Sequence, residues 1–196
     1  MGSPVVATGA PSRAWSLGAG RARHEEQALK FKVGDKVVYP NHGVGIVKEI
    51  RSLDYGGEKN TFISLQILSS DSIVMVPVAN SKAVGLRKLV SRAKVKKVLE
   101  RLRTSEIDVP QDWKGRYQEN QEKMRSGDIE QVADVLKNLT YLNSIKTLSY
   151  RERKMLDRAR ALVISELAEA SRQEPQKIEM KVDEAMMAGI ANGRPS

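Results

Sequence analysis

Between Gly85 and Ser91 the hydrophobic period of this chain changes, and one layer of secondary structure cannot satisfy both sides of the change. Before it, short β-branched runs alternate with turn residues. Lys36-Val37-Val38-Tyr39 is stopped by Pro40-Asn41-His42-Gly43, and Val44 to Ile50 reads as a second strand. Tyr55-Gly56-Gly57-Glu58 supplies a hairpin turn, because two glycines take the positive φ that tight hairpins demand. Thr61 to Leu68 and Ile73 to Pro77 complete four strands, a pattern that predicts a small, curled antiparallel sheet or barrel. Pro77 has no N–H for a ladder and belongs on an edge or at a strand end. An edge strand ending in Met75-Val76-Pro77 is a candidate for pairing with another protein's strand, and the alternative is that Met75 packs inward.

Beyond Ser91 the period is helical. Ser91 can cap a helix carrying Val95, Val98, Leu99 and Leu102 on one face. Trp113 to about Arg125 is the next helix, closed by Ser126-Gly127, with Asp112 as a plausible N-cap. Asp128 caps a third, with Ile129, Val132, Ala133, Leu136 and Leu139 inward. Ser149-Tyr150-Arg151-Glu152 is a capping box opening a long fourth helix, lined by Met155, Leu156, Ala159, Leu162, Val163 and Leu167. Pro175 fits the first turn of a last helix with Ile178, Val182 and Met186 facing in, and Gly189 onward reads as a frayed end. The expected fold is therefore α+β in two domains, a small antiparallel β module followed by a bundle of about five helices. The boundaries read as a disordered extension over 1–29, a β-rich module over 30–82, a linker over 83–90, a helical domain over 91–190 and a tail over 191–196.

The extension faintly suggests a transit peptide through Arg13, Arg21 and Arg23, but its composition reads more simply as a disordered extension or a misplaced start codon. The chain contains no cysteine, which removes disulfides, thiolate nucleophiles and Cys-ligated zinc. Only His24 and His42 are present, so no Ser/His/Asp set can be assembled. Gly43-Val44-Gly45 resembles half a dinucleotide fingerprint, yet it runs into a strand and Lys48 stands where the third glycine would be. No catalytic role and no cofactor are expected. No apolar run approaches the roughly 18 residues of a spanning helix, so no membrane role is expected.

A net charge of +9 points to an anionic partner, nucleic acid ahead of membrane. The charge is clustered rather than diffuse: residues 91–170 hold 17 cations and 13 acids. One cluster runs from Arg92 to Arg103 and includes Lys94 and Lys97; the other includes Arg151, Arg153, Lys154 and Arg158. Each could be a solvated helix face. Beside them stands Trp113-Lys114-Gly115-Arg116-Tyr117, an aromatic–cation cluster at a helix start. Flexible cations bind phosphates, while an aromatic can stack on a base or wedge a base step. On these residues alone Trp113 is either a half-buried plug or an exposed wedge.

From about Phe31 to Met186 the chain resembles the CarD/CdnL family of bacterial transcription regulators. The resemblance is carried by Phe31 to Gly43 (FKVGDKVVYPNHG), Met75-Val76-Pro77, Val84-Gly85-Leu86-Arg87-Lys88 and Trp113-Lys114-Gly115-Arg116-Tyr117 with Asn120. Ser126-Gly127-Asp128 and Leu148-Ser149 through Arg160-Ala161-Leu162 add to it. The first piece is shared with the polymerase-binding module of transcription-repair coupling factors.

The resemblance implies a Tudor/SH3-like β barrel docking on the RNA polymerase β subunit through Met75, Val76, Pro77 and Leu53. It also implies a helical domain on promoter DNA at the upstream edge of the bubble, with Trp113 wedged into the minor groove and the open complex stabilised. Lys114, Arg116, Tyr117, Arg151, Arg153, Lys154, Arg158, Lys94 and Lys97 would contact DNA without reading sequence. Such a protein would be a cytoplasmic, nucleoid-associated monomer and not an enzyme. The competing expectation is a protein-interaction adaptor whose basic faces are merely solvated.

Overall fold

The computed structural model describes residues 31–55, 58–104 and 113–192. The chain folds as an antiparallel sheet followed by helices, as the change of period predicts. The strands are β1 (Lys36–Tyr39), β2 (Gly43–Tyr55), β3 (Glu58–Ile67), β4 (Ile73–Pro77) and β5 (Arg87–Lys88), in the order β4-β3-β2-β1-β5. A bulge between Val47 and Glu49 bends β2 against β3, so one sheet face wraps a core of Val37, Val47, Ile63, Leu65, Ile67 and Val76.

The stretch expected to be linker is not slack. Leu86 enters this core, and Arg87–Lys88 adds to the sheet through Val38↔Arg87 and Val37↔Lys88. Two residues are too few to show a period, which is why β5 was not expected.

The helices are α1 (Arg92–Arg103), α2 (Trp113–Ser126), α3 (Ile129–Ile145), α4 (Tyr150–Ser171) and α5 (Pro175–Asn192). Ser91 caps α1 through the Lys94 N–H, and Asp128 caps α3 through the Glu130 N–H. The Ser149–Glu152 capping box closes reciprocally at the start of α4. The expected stripes meet in one core that includes Val98, Leu102, Leu136, Leu139, Val163 and Val182. This core is separate from that of the sheet.

One expectation fails at the C-terminal end. Gly189 is buried, not frayed, and α5 continues to Asn192. A Cβ on Gly189 would overlap the Leu102 carbonyl oxygen, so α5 crosses the end of α1 at backbone contact. The Asp112 cap lies outside the described residues.

Candidate functional site

The first candidate surface is the outer face of the sheet. Residues directly opposite across an antiparallel pair project to the same side. The register Ser64↔Met75, Phe62↔Pro77, Arg51↔Phe62 and Leu53↔Asn60 therefore puts Leu53, Phe62, Met75 and Pro77 on one face. β4 is an edge strand, as Pro77 suggested, and among the described residues no strand pairs with its far side. Met75 is 41% exposed and Leu53 is also exposed.

Val76 is the correction: at 2% exposed it belongs to the core opposite Ile63, so its side chain cannot be a contact. The alternation of β4 demands this, since neighbours of an outward Met75 must point in. The same alternation would have found Ile73, which the sequence reading did not select. It is strongly exposed on the Met75 side and extends the apolar face.

The second surface is a corner of the bundle where α2 and α4 begin. Arg116, in the first turn of α2, donates from Nη2 to Glu152 Oε1 at 2.7 Å and from Nε to the same oxygen at 3.2 Å. Glu152 Oε2 in turn accepts from the Ser149 hydroxyl at 2.8 Å and the Ser149 N–H at 3.1 Å. Burial alone would raise the Glu152 pKa. Hydrogen bonds from Arg116 and from the Ser149 side chain and backbone outweigh it and hold the carboxyl below its usual value.

Arg116 was expected on DNA and is instead 3% exposed. Its Nε and Nη2 are taken up by Glu152, which makes it a buried joint between α2 and α4. Around this joint, Lys114 and Gly115 are exposed and Tyr117 is half-buried. The expectation for the Trp113 side chain lies outside the described residues.

The joint brings the first turn of α2 against the basic start of α4. Arg151, Arg153 and Lys154 are all exposed there, and Arg153 donates weakly to Asn143. No carboxylate among the described residues lies within ion-pair distance of these three. Tyr150, read from sequence only as part of the capping box, is 74% exposed with Lys154 Nζ 5.4 Å from its ring centre. Its place two residues before an inward Glu152 was the available signal.

Three other expected contacts belong elsewhere. Lys94 pairs with Glu130 at the start of α3, about 22 Å along that helix from the end that leads into α4, at 1.5 Å per residue. Lys97 is exposed on the same helix, one turn on, and does not join the corner. Arg158 donates to the Asn41 carbonyl oxygen, which places it at the junction of sheet and bundle.

Among the described residues no group of three or more His, Asp or Glu side chains could hold a metal ion, and no helix is long and apolar enough to cross a membrane. A crevice of about 20 Å³ between sheet and bundle, lined by Tyr39, Pro40, Arg87, Met124, Gly127 and Glu166 among others, has room for little more than one water.

Comparison with known proteins covers both halves. Residues 31–90 match the family model described as the CarD-like/TRCF RID domain, and residues 97–183 match that described as CarD, C-terminal domain. "Putative transcription factor YdeB" of Bacillus subtilis (strain 168) is 32% identical over 137 residues, which cover 70% of this chain and 90% of that protein. The solution NMR structure of the 72-residue N-terminal domain of Myxococcus xanthus CarD is 41% identical; the match covers 30% of this chain and 77% of that one, with a TM-score of 0.26. With both domain models matched in order and a relative spanned almost end to end, the chain belongs to the CarD family of transcription regulators.

Proposed function

We propose that this protein regulates transcription initiation by joining the RNA polymerase β subunit to promoter DNA at the upstream edge of the bubble, and that it stabilises the open complex. The polymerase-facing surface is the outer sheet face of Leu53, Met75 and Pro77, with Ile73 continuing it. The DNA-facing surface is the corner of Trp113, Lys114, Tyr117, Arg151, Arg153 and Lys154, with Tyr150 beside them.

The observation that carries this reading is the Arg116–Glu152 joint. It unites a Trp-bearing helix start with three exposed cations that have no carboxylate partner among the described residues. Cations of this kind hold phosphates without reading bases. Inserting a side chain at an intact base step costs a few kcal/mol of unstacking. At the fork of a melted promoter that cost is smaller, so a wedge binds the open state better than the closed one. Only such differential affinity shifts the equilibrium.

The test is the lifetime of open complexes on a promoter fragment, with wild-type protein, with Trp113→Ala and with neither. Wild type should lengthen the lifetime and Trp113→Ala should not. Equal lifetimes with and without wild-type protein would end this reading.

One observation favours the adaptor alternative. Several bundle cations are paired with acids, among them Lys94 with Glu130, Arg101 with Asp134 and Arg160 with Glu179 and Asp183. Salt separates the two. Phosphate contacts release counterions, so DNA affinity should fall steeply from low to moderate salt in the bridging reading and hardly change in the adaptor reading.

A further inference from the structure

The sheet and the bundle have separate cores, yet they meet through a junction too specific to be a loose tether. Pro40, in the turn between β1 and β2, sits between two glycines of positive φ. A Cβ on Gly85, in the stretch leading to β5, would lie 2.9 Å from Pro40 Cγ. A Cβ on Gly127, between α2 and α3, would lie 2.7 Å from the same atom. Any side chain at either position would displace the ring, and both backbone conformations disfavour one. Pro40 of the β module is therefore held in a slot whose far wall belongs to the helical domain.

Arg87 closes the slot. From β5 it donates through Nε and Nη2 to the Gly127 carbonyl oxygen at 2.8 and 2.6 Å. Its Nη1 and Nη2 grip Glu166 of α4 at 2.5 and 2.8 Å. Glu166 is buried and also accepts from the Val90 N–H at 3.3 Å. One guanidinium thus ties the last strand of the sheet to the α2–α3 turn and to the C-terminal third of α4. A planar fork suits this task and a lysine does not. Lys36 with Glu169, and Arg158 with the Asn41 carbonyl, add polar ties on either side. Stacking of His42 on Tyr39, with ring centres 4.6 Å apart, stiffens the turn that carries Pro40.

We propose that this junction is a rigid coupling, with Arg87 and Glu166 as positioning residues that fix the outer sheet face relative to the α2–α4 corner. The proposal rests on the bridging function above. Two sites held at a fixed span act as one ligand, whereas a loose link dilutes the second site at the first. Correct linkage can strengthen combined binding by about 100-fold to 10,000-fold without any new contact. Arg87 and Glu166 touch neither proposed partner, yet the effect on the open complex depends on them.

The experiment compares wild-type full-length protein with the double variant Arg87→Met/Glu166→Gln, which leaves no buried charge unpaired, and with Pro40→Ala, which alters neither core. Backbone ¹⁵N relaxation reads whether the two modules tumble with one correlation time or two. Open-complex lifetime reads function, and titrations with a β-subunit fragment and with fork DNA read each site alone.

In wild type one correlation time is expected. In the variants two are expected, with the lifetime extension reduced at least about 10-fold and each single-site affinity changed less than about 2-fold. A single correlation time in both variants would overturn the coupling. Two correlation times with an undiminished lifetime extension would overturn its role. If wild type itself does not lengthen the lifetime, the bridging reading fails and takes that role with it, while the relaxation data still decide the coupling. Should the double variant unfold, Pro40→Ala carries the comparison.

Discussion

Arg116 Nη2 lies 2.7 Å from Glu152 Oε1, with both residues buried, and this pair joins two helix starts 36 residues apart in sequence. Removing one partner of a buried pair leaves the other uncompensated, which costs about 3–5 kcal/mol. Arg116→Met should therefore lower bundle stability by that order in urea denaturation. A phosphate-binding arginine would behave differently, leaving stability within about 0.5 kcal/mol and reducing the salt slope of DNA binding by about one contact. Unchanged stability with a shallower slope would return Arg116 to the DNA-binding set.

The same pair sets an acid limit. The folded-state pKa of Glu152 is lowered, so its contribution to stability is fully present above the usual carboxylate value of 4.5 and is lost as pH falls through the folded value. Glu152→Gln removes that component. Wild type should exceed Glu152→Gln by a constant margin above about pH 5, and the margin should shrink below pH 4.5. Denaturant melts of both proteins across that range provide the check, and a margin that grows on acidification would contradict the assignment.

How much of this was legible in the sequence depends on what each signal reports. The capping box at Ser149 and Glu152 was legible, because it is local chemistry at fixed spacing. The edge position of β4 was legible from Pro77. The burial of Arg116 was missed because a cation beside Trp113 and Lys114 reads as surface charge. Yet Arg116, Asn120 and Met124 follow at i, i+4 and i+8, and all three are buried. Counted as one stripe, they mark the inward face of α2. Glu152 as the partner of Arg116 was beyond reach, since pairing across 36 residues is set by packing and not by local spacing. The same holds for the Pro40 slot, which exists only because the two domains meet, while β5 was missed because two residues are too few to show a period.

The sheet yields a paired prediction on adjacent residues. Met75→Asp should abolish binding to the β subunit with little change in stability, because Met75 is on the outer face. Val76→Ala should do the reverse, costing about 0.5–3 kcal/mol while leaving binding near wild type. Pull-down with a β-subunit fragment and thermal melts of each variant read both quantities. Full binding by Met75→Asp would remove this face from the proposed interface.

Gly189 tests the close crossing of α1 and α5. On helix propensity alone, Gly189→Ala should stabilise α5 by about 0.8–1 kcal/mol. Space argues the other way, because the added methyl would overlap the Leu102 carbonyl oxygen and lie 3.1 Å from that of Thr104. These neighbours are backbone at the end of α1 and cannot rotate away as a side-chain tip could. Overpacking of this kind costs typically about 1–3 kcal/mol, more than the propensity gain. The variant should therefore melt below wild type, and Gly189→Val lower still. A raised melting temperature for Gly189→Ala would mean that the helices separate easily at this point and that the crossing contributes little to the bundle.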